Sequence, residues 1–196
     1  MNIMDVLSTF AQAMLVGAFA ENVLLRRGWD ASNIMWTSRH RDKGPIWYGL
    51  ILTCITTTAT LPAFVASSFI RNLEYRYIII PILYIACIVA TYLAAVILVQ
   101  EFLPIIAKKV VRRMPVSVFN CAVLSVLVSQ IQTRSLAQAI GYGFGVGVGY
   151  TLVMFLVSEG YRRLMLCDLP KPFKGMPVLL IYVGLLSLAF AGLTQG

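Results

Sequence analysis

Six apolar stretches follow one another along this chain, at residues 4–25, 46–66, 77–103, 117–131, 136–158 and 176–194, with only short polar connections between them. A helix needs ~20 residues at ~1.5 Å each to cross the hydrocarbon core of a bilayer. No water is available there, so backbone N–H and C=O groups must be paired within the segment, which a helix does. Composition agrees: of the 196 residues 59% are hydrophobic and 12% charged, with a mean hydropathy of +0.82. A soluble domain carries roughly 25% charged residues. The expectation is an all-α integral membrane protein with six transmembrane helices, forming one compact domain over residues 1–196.

The net charge of +8 does not mark a nucleic-acid binder, because the basic residues fall between the apolar runs and form no stripe interleaved with aromatics. Their distribution reads as topology. Arg26, Arg27, Arg39, Arg41, Lys43, Lys108, Lys109, Arg112, Arg113, Arg162, Arg163, Lys171 and Lys174 lie on one side, and Arg71, Arg76 and Arg134 on the other, which is 13 against 3. The positive-inside rule then places the basic loops in the cytoplasm and both termini outside. The N-terminus runs from Asp5 into its apolar stretch without a basic region or a small-residue cleavage site, as a retained first membrane helix would. Cys54, Cys87, Cys121 and Cys167 are widely spaced and show no disulfide framework.

Six helices with both termini outside divide after the third into halves of opposite orientation, which permits an inverted 3+3 repeat, about 1–106 and 107–196. Segments one and four are then counterparts. Each places polar groups beside a Val-Leu pair, in "ENVLL" at 21–25 and "NCAVL" at 120–124.

The run "GYGFGVGVGY" at 141–150 does not satisfy the dinucleotide-loop spacing and lies inside an apolar segment. On a helix Gly141, Gly145 and Gly149 share a face, with Gly143 and Gly147 close to it, which suits close helix packing. In the matching second segment Thr53, Thr56, Thr57 and Thr60 stand at small-residue spacing; packing is the default reading and an ion pathway the alternative. Glu21 is the one carboxylate placed well inside a span, a candidate for an ion pathway or else a partner of Arg26 or Arg27 at the surface. With a single histidine, His40, in a basic loop and no Walker loop, a self-contained enzyme is not indicated, and the chain is expected to contribute to an assembly.

"FNCAVLSVLV" from Phe119, the glycine helix from Tyr142, the Asp-x-Pro-x-Pro-Phe-Lys-Gly loop at Asp168 to Gly175 and "LSLAF" near the end together resemble the Rnf/Nqr membrane-subunit family, over some 75 residues of the C-terminal half. The resemblance implies a six-helix inverted repeat with broken first and fourth helices, paired with a homologous six-helix membrane subunit of opposite orientation. It also implies a 2Fe-2S cluster within the membrane, to which each partner gives one cysteine from its first helix and one from the Asn-Cys motif. Cys121 matches the second position, with Asn120 beside it stabilising the helix break. The first position departs from the family, whose Leu-Gly-x-Cys-Pro stretch reads "RRGWDASN" here, so that Asp30 or Ala31 stands in place of the cysteine and none occurs before Cys54. Asp30 and Cys54 are the candidate substitutes, the latter because its depth in segment two is comparable with that of Cys121 in segment four.

The resemblance thus implies a membrane subunit of an electron-transport complex that couples electron transfer to Na+ or H+ translocation, in the cytoplasmic (inner) membrane of a bacterium or archaeon. The alternative keeps the fold without the redox chemistry, as a transport or structural subunit. A third reading has the basic face docking an acidic redox protein or anionic lipid.

Overall fold

The computed structural model of the protein describes residues 3–20, 22, 25, 45–70, 75–102, 111, 114–129, 135–168 and 170–195. Among these every regular element is helical: α1 (Ile3–Leu15), continued by a π-helical turn (Val16–Ala20), then α2 (Pro45–Ile70), α3 (Arg76–Phe102), α4 (Met114–Val118), α5 (Cys121–Ser129), α6 (Leu136–Leu164), a 3-10 turn (Lys171–Phe173) and α7 (Met176–Gln195). Tyr48–Ile70, Ile78–Phe102 and Leu136–Leu164 are long and apolar enough to cross a membrane, and Met4–Phe19 and Met176–Gly192 are shorter apolar helices. These are the first, second, third, fifth and sixth apolar stretches of the sequence, and the protein is an integral membrane protein. The helices outrun the apolar stretches where polar residues continue them: α6 ends at Leu164, past Glu159, Arg162 and Arg163, and α2 at Ile70, past Ser67 and Ser68.

Proline marks the helix starts and two interior positions. Pro45 opens α2, and Pro115 and Pro177 stand in the first turns of α4 and α7, where a missing N–H costs nothing. Pro62 and Pro81 lie inside α2 and α3, where each removes one bond of the helical ladder. Gly175, with φ of 96°, turns the chain from the 3-10 turn into α7, a left-handed conformation that a side chain would strain.

The packing is organised around α6, which lies against α1 and the π-helical turn on one side and α2 on another. The glycines divide between these neighbours. A Cβ on Gly141 would come within 2.6 Å of the Phe10 carbonyl oxygen, and Cβ atoms on Gly145 and Gly149 would run into the carbonyls of Met14 and Ala18. Positions 10, 14 and 18 thus climb α1 and its π turn in step with 141, 145 and 149, so the two helices run parallel with backbones nearly touching. Gly143 and Gly147 face the other way: a Cβ there would lie 2.6 Å from the Thr60 methyl and from Cα of Thr53, respectively. Gly49 completes this antiparallel register by facing Thr151.

The threonines fit the packing reading. Thr53 donates to the Gly49 carbonyl at 2.8 Å, Thr56 and Thr57 to that of Thr53 at 3.0 and 2.7 Å, and Thr60 to that of Thr57 at 2.7 Å. Each hydroxyl is thereby satisfied within its own helix, with methyl and backbone left to meet the glycines. The core continues through Leu52, Ile55, Val118, Val123, Val126, Leu127 and Val153, all buried. Beyond it, at the end of α6, Glu159 accepts from Arg162 at 2.6 Å and from Arg163 at 3.4 Å, in an exposed pair of contacts. Exposed ion pairs contribute little. Glu159→Gln should therefore leave the thermal unfolding midpoint in detergent essentially unchanged.

Candidate functional site

Two helix interruptions bury asparagine side chains in a predominantly apolar interior. The second is the clearer. α4 ends as the Phe119 N–H reaches the Pro115 carbonyl at 3.0 Å; Asn120 is non-helical, and α5 begins at Cys121. Asn120 caps the new helix: its Oδ1 accepts from the Ala122 N–H at 2.8 Å, and its backbone carbonyl accepts from Val123 at 3.1 Å and Leu124 at 3.4 Å. An Asn at this position satisfies one of the N–H groups that a helix start leaves over. In lipid such a break survives only where protein supplies the missing partners.

The other end of the Asn120 amide is held from a distant part of the chain. Its Nδ2 donates to the Tyr48 hydroxyl at 2.9 Å, and Asn120 is buried, with 4% of its surface exposed. The Tyr48 ring lies 6.2 Å from that of Tyr150 on α6, between centroids. Phe119, on the outer side of the break, sits 5.7 Å from the Tyr92 ring of α3. Tyr48 of α2 and Tyr92 of α3 therefore contact the two residues of the interruption, and Tyr150 of α6 backs Tyr48.

The first interruption begins with the π-helical turn Val16–Ala20. Gly17 allows that turn to approach α6, since a Cβ there would lie 2.8 Å from the Tyr142 carbonyl oxygen. Asn22, 3% exposed, donates from Nδ2 to the Ala18 carbonyl at 3.0 Å and accepts the Leu25 N–H on Oδ1 at 3.4 Å. Ser187 of α7 donates to the Leu25 carbonyl and ties this region to the last helix. Both interruptions thus use an asparagine whose amide oxygen receives a backbone N–H two or three residues ahead.

Cys121 occupies the first position of α5 and is exposed at the surface of the chain, between the buried Asn120 and Ala122. Cys54 is also exposed, on an outward stripe of α2 with Leu50, Thr58, Leu61 and Val65. It lies six residues past Tyr48, which at ~100° and ~1.5 Å per residue is roughly 240° around α2 and roughly 9 Å along it. Cys87 is half-buried on α3, and Cys167 is exposed after α6 with its Sγ donating to the Arg163 carbonyl at 3.5 Å. Glu21 and Asp30, the carboxylates singled out in the sequence, lie outside the described residues.

A 2Fe-2S cluster ordinarily takes four thiolates. Among the described residues no three His, Cys, Asp or Glu side chains gather to hold a metal. Cys121 fits such a group as a single ligand facing outward from the chain, so that the other donors would come largely from beyond the described residues.

Sequence reasoning picked out Asn120 and Cys121 and missed Tyr48 and Asn22. The pairing of "ENVLL" with "NCAVL" held the signal for Asn22, which attention to Glu21 obscured. Tyr48 carried none, because its partner is 72 positions away.

Residues 10–195 match the family described as Rnf-Nqr subunit, membrane protein. The chain is 35% identical over 153 residues to the A-type subunit of the ion-translocating oxidoreductase complex of Yersinia enterocolitica, covering 76% of this chain and 78% of that protein. The protein of the same name from Vibrio vulnificus has the same identity and coverage, and that from Yersinia pestis is 33% identical over the same length.

Proposed function

We propose a role from the premise that this chain belongs to the Rnf-Nqr family of membrane subunits: it is the A-type membrane subunit of an ion-translocating oxidoreductase complex, coupling electron transfer to Na+ or H+ movement. The observation that carries this reading is the family match together with the Asn120-capped break, which leaves the Cys121 thiol facing away from its own core. In this role the chain is a six-helix inverted repeat in the cytoplasmic membrane, with both termini outside and its basic loops in the cytoplasm. It pairs with a homologous six-helix subunit, and Cys121 is the residue of this chain that holds a 2Fe-2S cluster shared between them. Such a cluster would serve as a one-electron carrier. Asn120 keeps the interrupted backbone satisfied, and the aromatic residues around it exclude water from the break.

The test is purification without oxygen, with the native membrane partners, followed by iron and acid-labile sulfide analysis and electron paramagnetic resonance after reduction. The expected results are a homologous six-helix protein in the same preparation and about two irons per shared site, with the signal lost in Cys121→Ser. Loss of the signal in Cys54→Ser or Asp30→Asn as well would identify the replacement for the missing first-helix cysteine. A second reading is favoured by the absence of any cysteine before Cys54: the fold serves transport or assembly without redox chemistry. An intact, iron-free complex would establish it.

A further inference from the structure

Tyr48 makes a direct polar contact with the break. Its hydroxyl receives the Asn120 Nδ2–H at 2.9 Å, its ring meets Tyr150 of α6, and its own helix carries the threonines that pack on the glycines of α6. Asn120 is thus gripped at both ends of its amide, by the Ala122 N–H at 2.8 Å and by Tyr48. The backbone of the next residue, Cys121, leaves this fixed point as the first turn of α5.

We propose that Tyr48 is a positioning residue that acts through Asn120: it locks the break against α2 and α6 and so sets where α5 presents the Cys121 thiol to a partner subunit. The importance of that presentation rests on the proposed function, whereas the positioning itself is a property of this chain alone. A cap by itself fixes only the local turn, because Oδ1 and the Ala122 N–H belong to neighbouring residues. The bond to Tyr48 connects that turn to the rest of the bundle. Phe119 against Tyr92 braces the other side through ring contact, which carries no hydrogen-bond direction.

The consequence is local. Without the Tyr48 hydroxyl the cap survives and α5 still starts at Cys121, but the amide loses its anchor on α2 and can turn about its own side chain. Tyr48→Phe keeps the ring and its contact with Tyr150 and removes only the oxygen. Asn120→Ser keeps a capping oxygen and is too short to reach Tyr48. Both changes therefore remove the same bond by opposite routes.

The experiment is site-directed spin labelling of the full chain in membranes, with Cys121 as the sole cysteine after Cys54→Ser, Cys87→Ser and Cys167→Ser. A second preparation carries the label at Cys54 alone. Tyr48→Phe should raise the ratio of mobile to immobile label at Cys121 by about two- to tenfold, the range set by loss of one neutral hydrogen bond. Asn120→Ser should do the same, and the double variant should go little further, since the two residues share one contact. Tyr92→Phe, which keeps its ring, should leave the Cys121 spectrum unchanged, and the Cys54 spectrum should be unchanged throughout. An unchanged Cys121 spectrum in Tyr48→Phe would overturn the proposal and leave the cap as the sole determinant. Equal changes at Cys121 and Cys54 would overturn it as well, by showing general loosening. Neither readout requires a cluster, a partner or electron transfer, so the proposed function stands or falls separately.

Discussion

Gly145→Val should largely remove the folded protein from detergent extracts, with a destabilisation of about 3 kcal/mol at the upper end of ordinary overpacking. The large effect follows from what the new side chain meets. At most core positions an added methyl displaces the flexible end of another side chain, but at Gly145 it meets the Met14 carbonyl and the backbone around it. Backbone cannot rotate away without moving α1 as a body. Gly149→Val should act similarly through Ala18, whereas Gly184→Val and Gly192→Val on α7, where nothing lies within 4 Å, should stay within about 1 kcal/mol. Fluorescence-detected size exclusion and thermal unfolding of the four variants would check this. A well-folded, monodisperse Gly145→Val protein with a native midpoint would mean that α1 does not sit on α6 at this distance.

Asn120→Leu is the second large effect, at about 2–4 kcal/mol. Leucine keeps the branching of asparagine but removes both the cap on Ala122 and the donor to Tyr48. The Ala122 N–H left without its cap in a buried site costs about 1–3 kcal/mol, since hydrocarbon offers no water in its place, and the lost bond to the Tyr48 hydroxyl costs about 1 kcal/mol more. Asn120→Ser should recover roughly half of the loss by restoring the cap alone. Unfolding midpoints of the three proteins in one detergent give the ordering directly. Equal stability of Asn120→Leu and the parent would sink the assignment of Asn120 as the residue that makes the interruption tolerable.

The two predictions differ in how far they were visible before the fold was known. That Gly141, Gly145 and Gly149 share a helix face is a matter of 3.6-residue periodicity, and the sequence alone contained it. That Gly143 and Gly147 face a different helix, and that their partners are Thr60 and Thr53, depended on how α2 and α6 lie against each other. The asparagine was conspicuous because it interrupts an apolar run, while its partner Tyr48 stood unremarked at the start of another. Cys54 shows the same limit. Its depth is comparable with that of Cys121, but depth does not specify direction, which the structure supplies by placing it on the outward stripe of α2.

What the sequence by itself determined is the set of properties that each segment carries alone: that the chain is helical and lives in lipid, that α2, α3 and α6 are long enough to cross it, and that the Asn-Cys pair departs from an apolar run. These follow from hydropathy and from backbone bonds that close within four residues, so no knowledge of neighbours is needed. Tertiary structure alone decided which faces meet, which of the glycines serve α1 and which serve α2, that a π-helical turn and Asn22 interrupt the first helix, and that Tyr48 holds Asn120. Helices in lipid are sorted by close packing and a few hydrogen bonds, because burying apolar surface distinguishes little between one neighbour and the next. Contacts of that kind are set by the approach of segments far apart in the chain, and local sequence does not encode them.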